Sequence, residues 1–550
     1  MLFDLQDSAC PLQFEVDVCV VGAGPAGITI AKELMTSGLK VCLAESGGLA
    51  EETETQALYS GTSIGHPMVL TEGRHRIFGG SATRWGGKSV VLDTIDFETR
   101  DWVKNSGWPI AANELQPYYE RAKNISNFPE PWLDDADGLD SIGRKIPDFH
   151  SSDVRPYVWR CASRDLPRTW KTYFSLGYKS SFDWARAYGP ELIGGQNTFV
   201  VLHANVTAMT EDNGTGSIRE ATFKALNGNK LRVRSRMFVL ACSGIDNARI
   251  ALNFPAPLLS KINNSDNLGR YFAQHPSGTI LSVRATEAQA LKLQKTFNIF
   301  CRPPIYPVQY QLGFALSETA MRRHRILNAS AWLQYSASED SPWAAARRLR
   351  DAVRTRRFSI SAFKDTAKIF SNAGNTISGA FKKYVSAFEL IIPNPRIDVI
   401  INLEQEPDRE SRIRLTDEVD AIGLRQASVD WRISELERKT ARVFAEALAR
   451  VFDHLKLGTP EFPDWLSSTN PLRGSDLAGN YHFIGATRMG ESARDGVVDA
   501  NCRAYGVNNL FFAGASVFPT AGHANPTLTI IALAVRLSDH LRNALRMGDA

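Results

Sequence analysis

The chain has 550 residues, 43% of them hydrophobic and 22% charged, a length that exceeds one ordinary domain and predicts two interwoven domains around a large core. A formal net charge of +4 gives no electrostatic reason to expect a nucleic-acid partner. The seven cysteines (Cys10, Cys19, Cys42, Cys161, Cys242, Cys301 and Cys502) form no CxxC pair, so metal clusters, disulfide frameworks and covalent c-type haem are unsupported, no metal site is expected, and free thiols in a reducing compartment are.

In chain order, the opening MLFDLQDSACPLQFEVD lacks the basic and apolar regions of a secretory signal. No run of about eighteen uncharged apolar residues follows anywhere, so no transmembrane segment is expected and a cytoplasmic location is the default. Val16 to Val21 is a valine-rich apolar run suited to a central parallel strand. Gly22, Gly24 and Gly27 then give GxGxxG, Ile28 to Met35 has helical apolar spacing, and LKVCLAES predicts a second strand ending at Glu45. In such a unit Gly22 permits the tight turn, Gly24 lets the backbone approach a pyrophosphate, and Gly27 allows close helix packing. The helix N-terminus supplies donors to the phosphates, and Glu45 can accept ribose hydroxyls. Strand, turn, helix, strand and acid in this order predict dinucleotide binding, without separating FAD from NAD.

Further along come GRHRIFGGSATRWGG (from Gly73), DWVKNSGWPIAANELQPYYERA, NYHFIGATRMG (from Asn480), GVVDANCRAYGVNNLFFAGASVFPT and HANPTLTIIALAVRLSDHL. Together, at both ends of the chain, they resemble the glucose–methanol–choline (GMC) flavoprotein oxidoreductases, especially the pyranose oxidase, fructose dehydrogenase and gluconate dehydrogenase branch. The resemblance implies an α/β, Rossmann-like FAD domain and a discontinuous substrate domain on a mixed or antiparallel sheet. The implied segments are 1–100, 201–280 and 471–550 for FAD, with 101–200 and 281–470 for substrate. It implies that Gly79, Gly80 and Ser81 pass close to the flavin and its pyrophosphate, with Gly86 and Gly87 under the isoalloxazine, where small residues let a ring lie on the backbone. Pro25, Ala26, Ser46, Arg76 and Trp85 would border the cofactor, as would Val206 of VLHANVTAM and Ala241, Cys242 and Ser243 of VLACSGIDNARIAL. Gly514, Ala515, Pro526 and Thr527 complete that set. Cys242 reads as a small core residue rather than a redox group. Arg84 stands where some members carry the histidine joined covalently to flavin, so FAD is expected to be non-covalent. Arg84 is then a surface or substrate-side cation.

Alcohol oxidation needs a base for the hydroxyl proton and a carbinol C–H aimed at flavin N5. A neutral imidazole suits the first task. The resemblance places His482 at the family's histidine and Asn525 at its second catalytic position. Asn525 is uncharged and can orient the hydroxyl and stabilise a developing alkoxide. Pro526 would open a helix from Thr527 to Leu537 whose N-terminus favours negative charge. His523 and Gln405 are candidate substrate contacts, and Arg488 a structural cation.

The aromatic segments RPYVWR, RTWKTYF and SFDW suit either sugar faces or an ordinary core. IDVIINLEQEPDRESRIRLT resembles strands of the family's substrate domain. WAAARRLRDAVRTRRF opens a basic helical stretch over about 343–385, open to three readings: a solvated face, a homo-oligomer or partner contact, or an anionic-lipid surface. The implied function is oxidation of a secondary alcohol on a sugar, glycoside, cyclitol or related polyol to a ketone, with O2 or another redox partner as final acceptor. Oxidation of a primary alcohol to an aldehyde uses the same residues.

Overall fold

The computed structural model describes residues 1–128, 145–161, 182–212, 216–301, 309–337 and 391–547. The basic stretch 343–385 and the RTWKTYF segment lie outside the described residues.

Gln13–Val21 alternates exposed and buried side chains before ending in a wholly buried run, as a strand does when it passes from the edge of a sheet into its covered centre. It lies between Val41–Ala44 and Lys230–Leu240, parallel to both. Thr198–Leu202 and Leu2–Asp4 extend the parallel side. On the other side, Ile218–Lys224 and Asn205–Glu211 continue as an antiparallel meander, and Leu510–Phe512 pairs in parallel with the end of Lys230–Leu240. VLHANVTAM thus spans the end of one strand and the start of the next. His203 turns the chain with φ +54°, held by Asp4 at 2.8 Å and Glu52 at 3.0 Å. The helix after the glycine loop is Pro25–Met35, beginning with the proline at its first turn, where the missing N–H costs nothing. The final helix runs Thr527–Met547, longer than the apolar spacing suggests, and packs on Pro25–Met35 and Ala112–Ile125.

Among the described residues a second sheet has nine strands, and every pairing in it is antiparallel. Its centre is Pro276–Arg284, Arg396–Leu403, Ala329–Ser336, Gln309–Leu316 and Val154–Cys161, with the short Lys88–Ser89 at one edge. Glu435–His454 covers it, burying Phe444, Leu448 and Phe452 against Leu281, Phe314 and Val399. That helix starts with a capping box between Ser434 and Glu437. A third, three-stranded sheet joins Arg412–Val419 and Arg425–Trp431 to Gly61–Gly65. The stretch from Ile397 to Thr416 therefore splits between two sheets.

Candidate active site

A cavity of about 540 Å³ runs from the carboxyl ends of the parallel strands to the face of the antiparallel sheet. At its first end the glycine loop is packed from behind. A Cβ on Gly27 would sit 1.8 Å from the Gly22 carbonyl oxygen, and one on Gly22 would sit 2.6 Å from that of Ala241. Gly79, at φ +101°, donates its N–H to Ala23 at 2.8 Å and so props the loop rather than lining the cavity. Gly24, Gly86 and Gly514 line the cavity, and a Cβ on any of them would meet nothing within 4 Å. This is open backbone of the kind a pyrophosphate or a flat ring can approach, so the residues fit FAD.

Glu45 borders the same end. Its Oε2 accepts from the Ala23 N–H at 2.8 Å, and its Oε1 accepts from the Gly47 N–H at 2.9 Å and the Ser46 hydroxyl at 3.1 Å. Burial pushes this carboxyl above its ordinary value, opposed by those hydrogen bonds. Oε2 keeps one lone pair for a ribose hydroxyl. Arg76 is buried here, donating to Asn205 at 3.2 Å and Asp246 at 3.3 Å, with its guanidinium 4.3 Å from the Tyr59 ring centre. Pro25, Ala26, Ser46, Gly80, Ser81, Trp85 and Gly87 also line the cavity, as do Val206, Ala241, Cys242, Ser243, Ala515, Pro526 and Thr527.

His482 and Asn525 face the same space. His482 lies on a tightly bent segment: Tyr481, Gly485 and Ala486 all have positive φ, and Ala273 bridges Ile484 to tie it to the strand starting at Pro276. Just before that strand, His275 is fully buried, and its Nδ1 lies 2.8 Å from Nδ1 of His482. Its Nε2 lies 3.3 Å from the Ala521 carbonyl, which can only accept. This hydrogen-bond pattern assigns the proton of neutral His275 to Nε2, so its Nδ1 accepts from the Nδ1–H of His482. Neutral His482 is left with an unprotonated Nε2. Burial, and next the neighbouring His275, hold the His482 imidazole well below its ordinary value, which keeps it neutral at pH 7 with a lone pair free to accept a proton. Burial also pushes His275 down to about 4. The Asn525 side chain has no hydrogen-bond partner among the described residues, which leaves both its donor and its acceptor available to a ligand.

Two candidate substrate contacts do not reach the cavity. His523 is 0% exposed; it donates through Nε2 to Asp93 at 3.1 Å and packs edge-on against Tyr157. Burial raises the Asp93 carboxyl, but the His523 hydrogen bond and Arg155 outweigh it and leave Asp93 below its ordinary value. Gln405 is saturated inside the core. Its oxygen accepts from the Gln274 N–H at 2.9 Å and the Trp431 indole at 2.8 Å, while its nitrogen donates to the Arg432 carbonyl at 2.9 Å. A polar residue beside a motif looks the same in sequence whether it faces a ligand or a buried partner, which is why both were plausible contacts. Cys242 is not a core residue: it is half-buried on the cavity wall, its thiol 3.1 Å from the Val21 carbonyl. Arg84 reaches outward from the rim, 56% exposed, to Glu51 at 3.4 Å. Arg488 is buried away from this cavity, donating to the Asn105 carbonyl at 3.0 Å over the Tyr271 ring.

Several residues that sequence reasoning missed complete the second end: Lys88, Trp159, Trp332, Asn402 and Asn480. Asn480 donates to Asn402 at 2.8 Å, and Asn402 donates to the His523 carbonyl at 2.7 Å, anchoring the loop that carries Asn525. The one available signal was local: Lys88 directly follows Gly86-Gly87, and Trp159 lies in RPYVWR. His275 had only a lone Gln-His-Pro to mark it.

Among the described residues no group of three or more His, Cys, Asp or Glu could hold a metal ion, and no helix is long and apolar enough to cross a membrane.

Residues 407–534 match the family model described as GMC oxidoreductase. The 2-methyl-1,2-propanediol dehydrogenase of Mycolicibacterium austroafricanum is 23% identical, aligned over 96% of this chain and 95% of its own. The 6'''-hydroxyparomomycin C oxidase of Streptomyces lividus is also 23% identical, over 97% of this chain and 92% of its own. A solved fungal aryl-alcohol oxidase superposes with a TM-score of 0.57 at 12% identity, covering 96% of this chain and 99% of that one. Residues 407–534 thus match a GMC oxidoreductase segment, and along its whole length the chain is similar in sequence to alcohol-oxidising enzymes and shares the fold of a solved one.

Proposed function

We propose that the protein oxidises a secondary alcohol of a sugar, glycoside, cyclitol or related polyol to a ketone, with His482 as base and Asn525 as the group that orients the hydroxyl. The observation that carries this is the His275–His482 contact at 2.8 Å, which turns an unprotonated Nε2 toward the cavity that Asn525 also faces. His482 Nε2 accepts the hydroxyl proton, while the Asn525 amide donates to the oxygen as negative charge develops there. Fixing the oxygen between two side chains sets the direction of the carbinol C–H. Bound FAD supplies the two-electron acceptor that takes the hydride. Gly22, Gly24, Glu45, Gly80, Gly86, Gly514 and Ala515 would hold it. The outward course of Arg84 leaves that side chain without a bond to flavin and supports non-covalent binding.

Anaerobic mixing with a panel of sugars, glycosides, cyclitols and simple alcohols tests the reading through flavin bleaching, with His482→Ala as control. Bleaching by polyols that persists in the variant would overturn the base assignment. Admitting air then tells whether O2 accepts the electrons, and acid precipitation tells whether flavin is released. A second reading, primary alcohol to aldehyde, has one specific support. The diol named for the M. austroafricanum relative carries no hydrogen on C2, so its only carbinol C–H is on the primary C1. Panel members with only primary or only secondary hydroxyls separate the two.

A further inference from the structure

The two ends of the cavity differ in charge compensation. Among the described lining residues only Glu45 and Asp246 carry carboxylates, and both lie at the parallel-sheet end. Glu45 is occupied by backbone and serine donors, and Asp246 by Arg74 at 2.5 Å and Arg76 at 3.3 Å. At the antiparallel-sheet end the charged group is Lys88. Its short strand pairs with Val154–Cys161, which places the side chain beside Trp159, while Trp332 comes from a second strand of the same sheet. The ammonium lies 4.7 Å from the Trp332 ring centre and 5.3 Å from that of Trp159, and the two indoles meet edge to face at 6.0 Å.

Indole faces attract a cation but do not neutralise it. Among the described residues no carboxylate lies within ion-pair distance of Lys88. Burial pushes its amine down to about 8, with only a small opposing effect from Cys161. A buried ammonium with a built-in counterion would be held up instead. Lys88 is therefore a half-buried cation, still mostly protonated at neutral pH and with no carboxylate partner among the described residues, on the wall of the space that His482 and Asn525 face. Such a group gains most from an anion arriving with the ligand. One cation flanked by aromatic faces matches a single negative charge attached to a carbon skeleton, a carboxylate, better than a phosphate dianion.

We propose that Lys88 anchors a carboxylate of the substrate, so that the preferred substrates are polyhydroxy acids such as uronates and aldonates rather than neutral sugars. The substrate class rests on the alcohol-oxidation reading above; the anion anchor does not.

The test measures binding apart from turnover. D-glucuronate, D-gluconate, D-glucose and D-glucose 6-phosphate are titrated anaerobically into the FAD-loaded protein by calorimetry, with indole fluorescence as a second readout because Trp159 and Trp332 flank the ammonium. Flavin bleaching is recorded separately. The expected result is that a sugar acid binds at least tenfold tighter than glucose, that Lys88→Met collapses this ratio, and that Lys88→Arg retains much of it. Only variants with wild-type flavin content are compared, and Lys88→Arg serves if Lys88→Met folds poorly. Equal affinity for acid and neutral sugar in the wild type, or equal weakening of both by Lys88→Met, overturns the anchor. Preference for the phosphate ester overturns the carboxylate assignment. Lys88-dependent acid binding with no bleaching by any alcohol leaves the anchor standing and removes the oxidation reading. Bleaching by glucose with no binding of acids does the reverse.

Discussion

At the parallel-sheet end of the cavity the recognising groups belong mostly to the main chain: glycine backbone at Gly24, Gly86 and Gly514, and a carboxylate, Glu45, that also braces the loop. At the antiparallel-sheet end they are side chains (His482, Asn525, Lys88, Trp159, Asn402) delivered by strands and loops far apart in sequence. The first end depends on what the backbone can approach, and the second on what distant side chains bring together. Changes at the first should therefore alter flavin retention and stability, and changes at the second should alter chemistry with flavin in place.

The largest expected effect tests the second half of that statement. His482→Ala removes the proposed proton acceptor and should slow flavin reduction by substrate by roughly 10²–10⁴, with flavin content unchanged. Asn525→Ala removes one donor to the developing charge and should cost about 10²–10³. Rapid-mixing reduction kinetics on samples of matched flavin content measure both. Loss of flavin in either variant would mean that the two ends are not separable.

Gly27 and Gly24 divide the first half. An alanine methyl at Gly27 collides with the Gly22 carbonyl, which has no room to yield because Gly22 is itself packed on Ala241. Gly27→Ala should therefore cost about 1–3 kcal/mol of stability, as overpacking does, and lower the melting temperature even without flavin. At Gly24 the methyl meets nothing within 4 Å in the protein alone. Gly24→Ala should fold normally and bind FAD more weakly, read as a normal apoprotein melt with reduced flavin occupancy. Similar apoprotein melts for both variants would remove the distinction between packing and approach.

The same contrast explains what the sequence made legible. A tight turn that only glycine enters leaves a pattern readable from spacing, and with Glu45 and the flanking strands it identified the dinucleotide unit. His482 and Asn525, which line one cavity, are singled out in the sequence by their flanking motifs rather than by their own chemistry. Lys88 and Trp332 are separated by a long stretch of chain and meet only through the antiparallel sheet, and His275 meets His482 across a similar separation. Gln405 and His523 failed in the opposite direction. Each is a polar residue near a motif, but its partners (Gln274 and Trp431, or Asp93) come from elsewhere and turn it into the core.

His275 gives a smaller effect, within the chemical end. It touches His482 rather than the cavity, so His275→Ala should reduce the rate about tenfold by loosening the imidazole, with little change in flavin content. The sign of its pH effect follows from the causes of the shift. Burial and the His275 ring both lower the His482 pKa, so the acid limb of kcat/KM should lie below pH 6.5 in the wild type. Removing His275 withdraws one lowering influence and should move that limb to higher pH. An unmoved limb with a reduced rate would assign His275 to packing alone.

Arg84→Ala is expected to have the smallest effect and marks the border between the two ends. The residue sits beside Trp85 and Gly86, which line the cavity, yet its side chain is 56% exposed and meets Glu51 at 3.4 Å. An exposed ion pair of this kind contributes about 0–1 kcal/mol, because solvent screens the charges and both side chains lose rotamer freedom in forming it. The variant should keep its flavin and reduce it at a rate within about twofold of wild type, with stability changed by no more than roughly 0.5 kcal/mol. A marked loss of flavin would mean that the guanidinium turns inward when FAD is bound. The main-chain description of that end would then have to admit a cationic side chain.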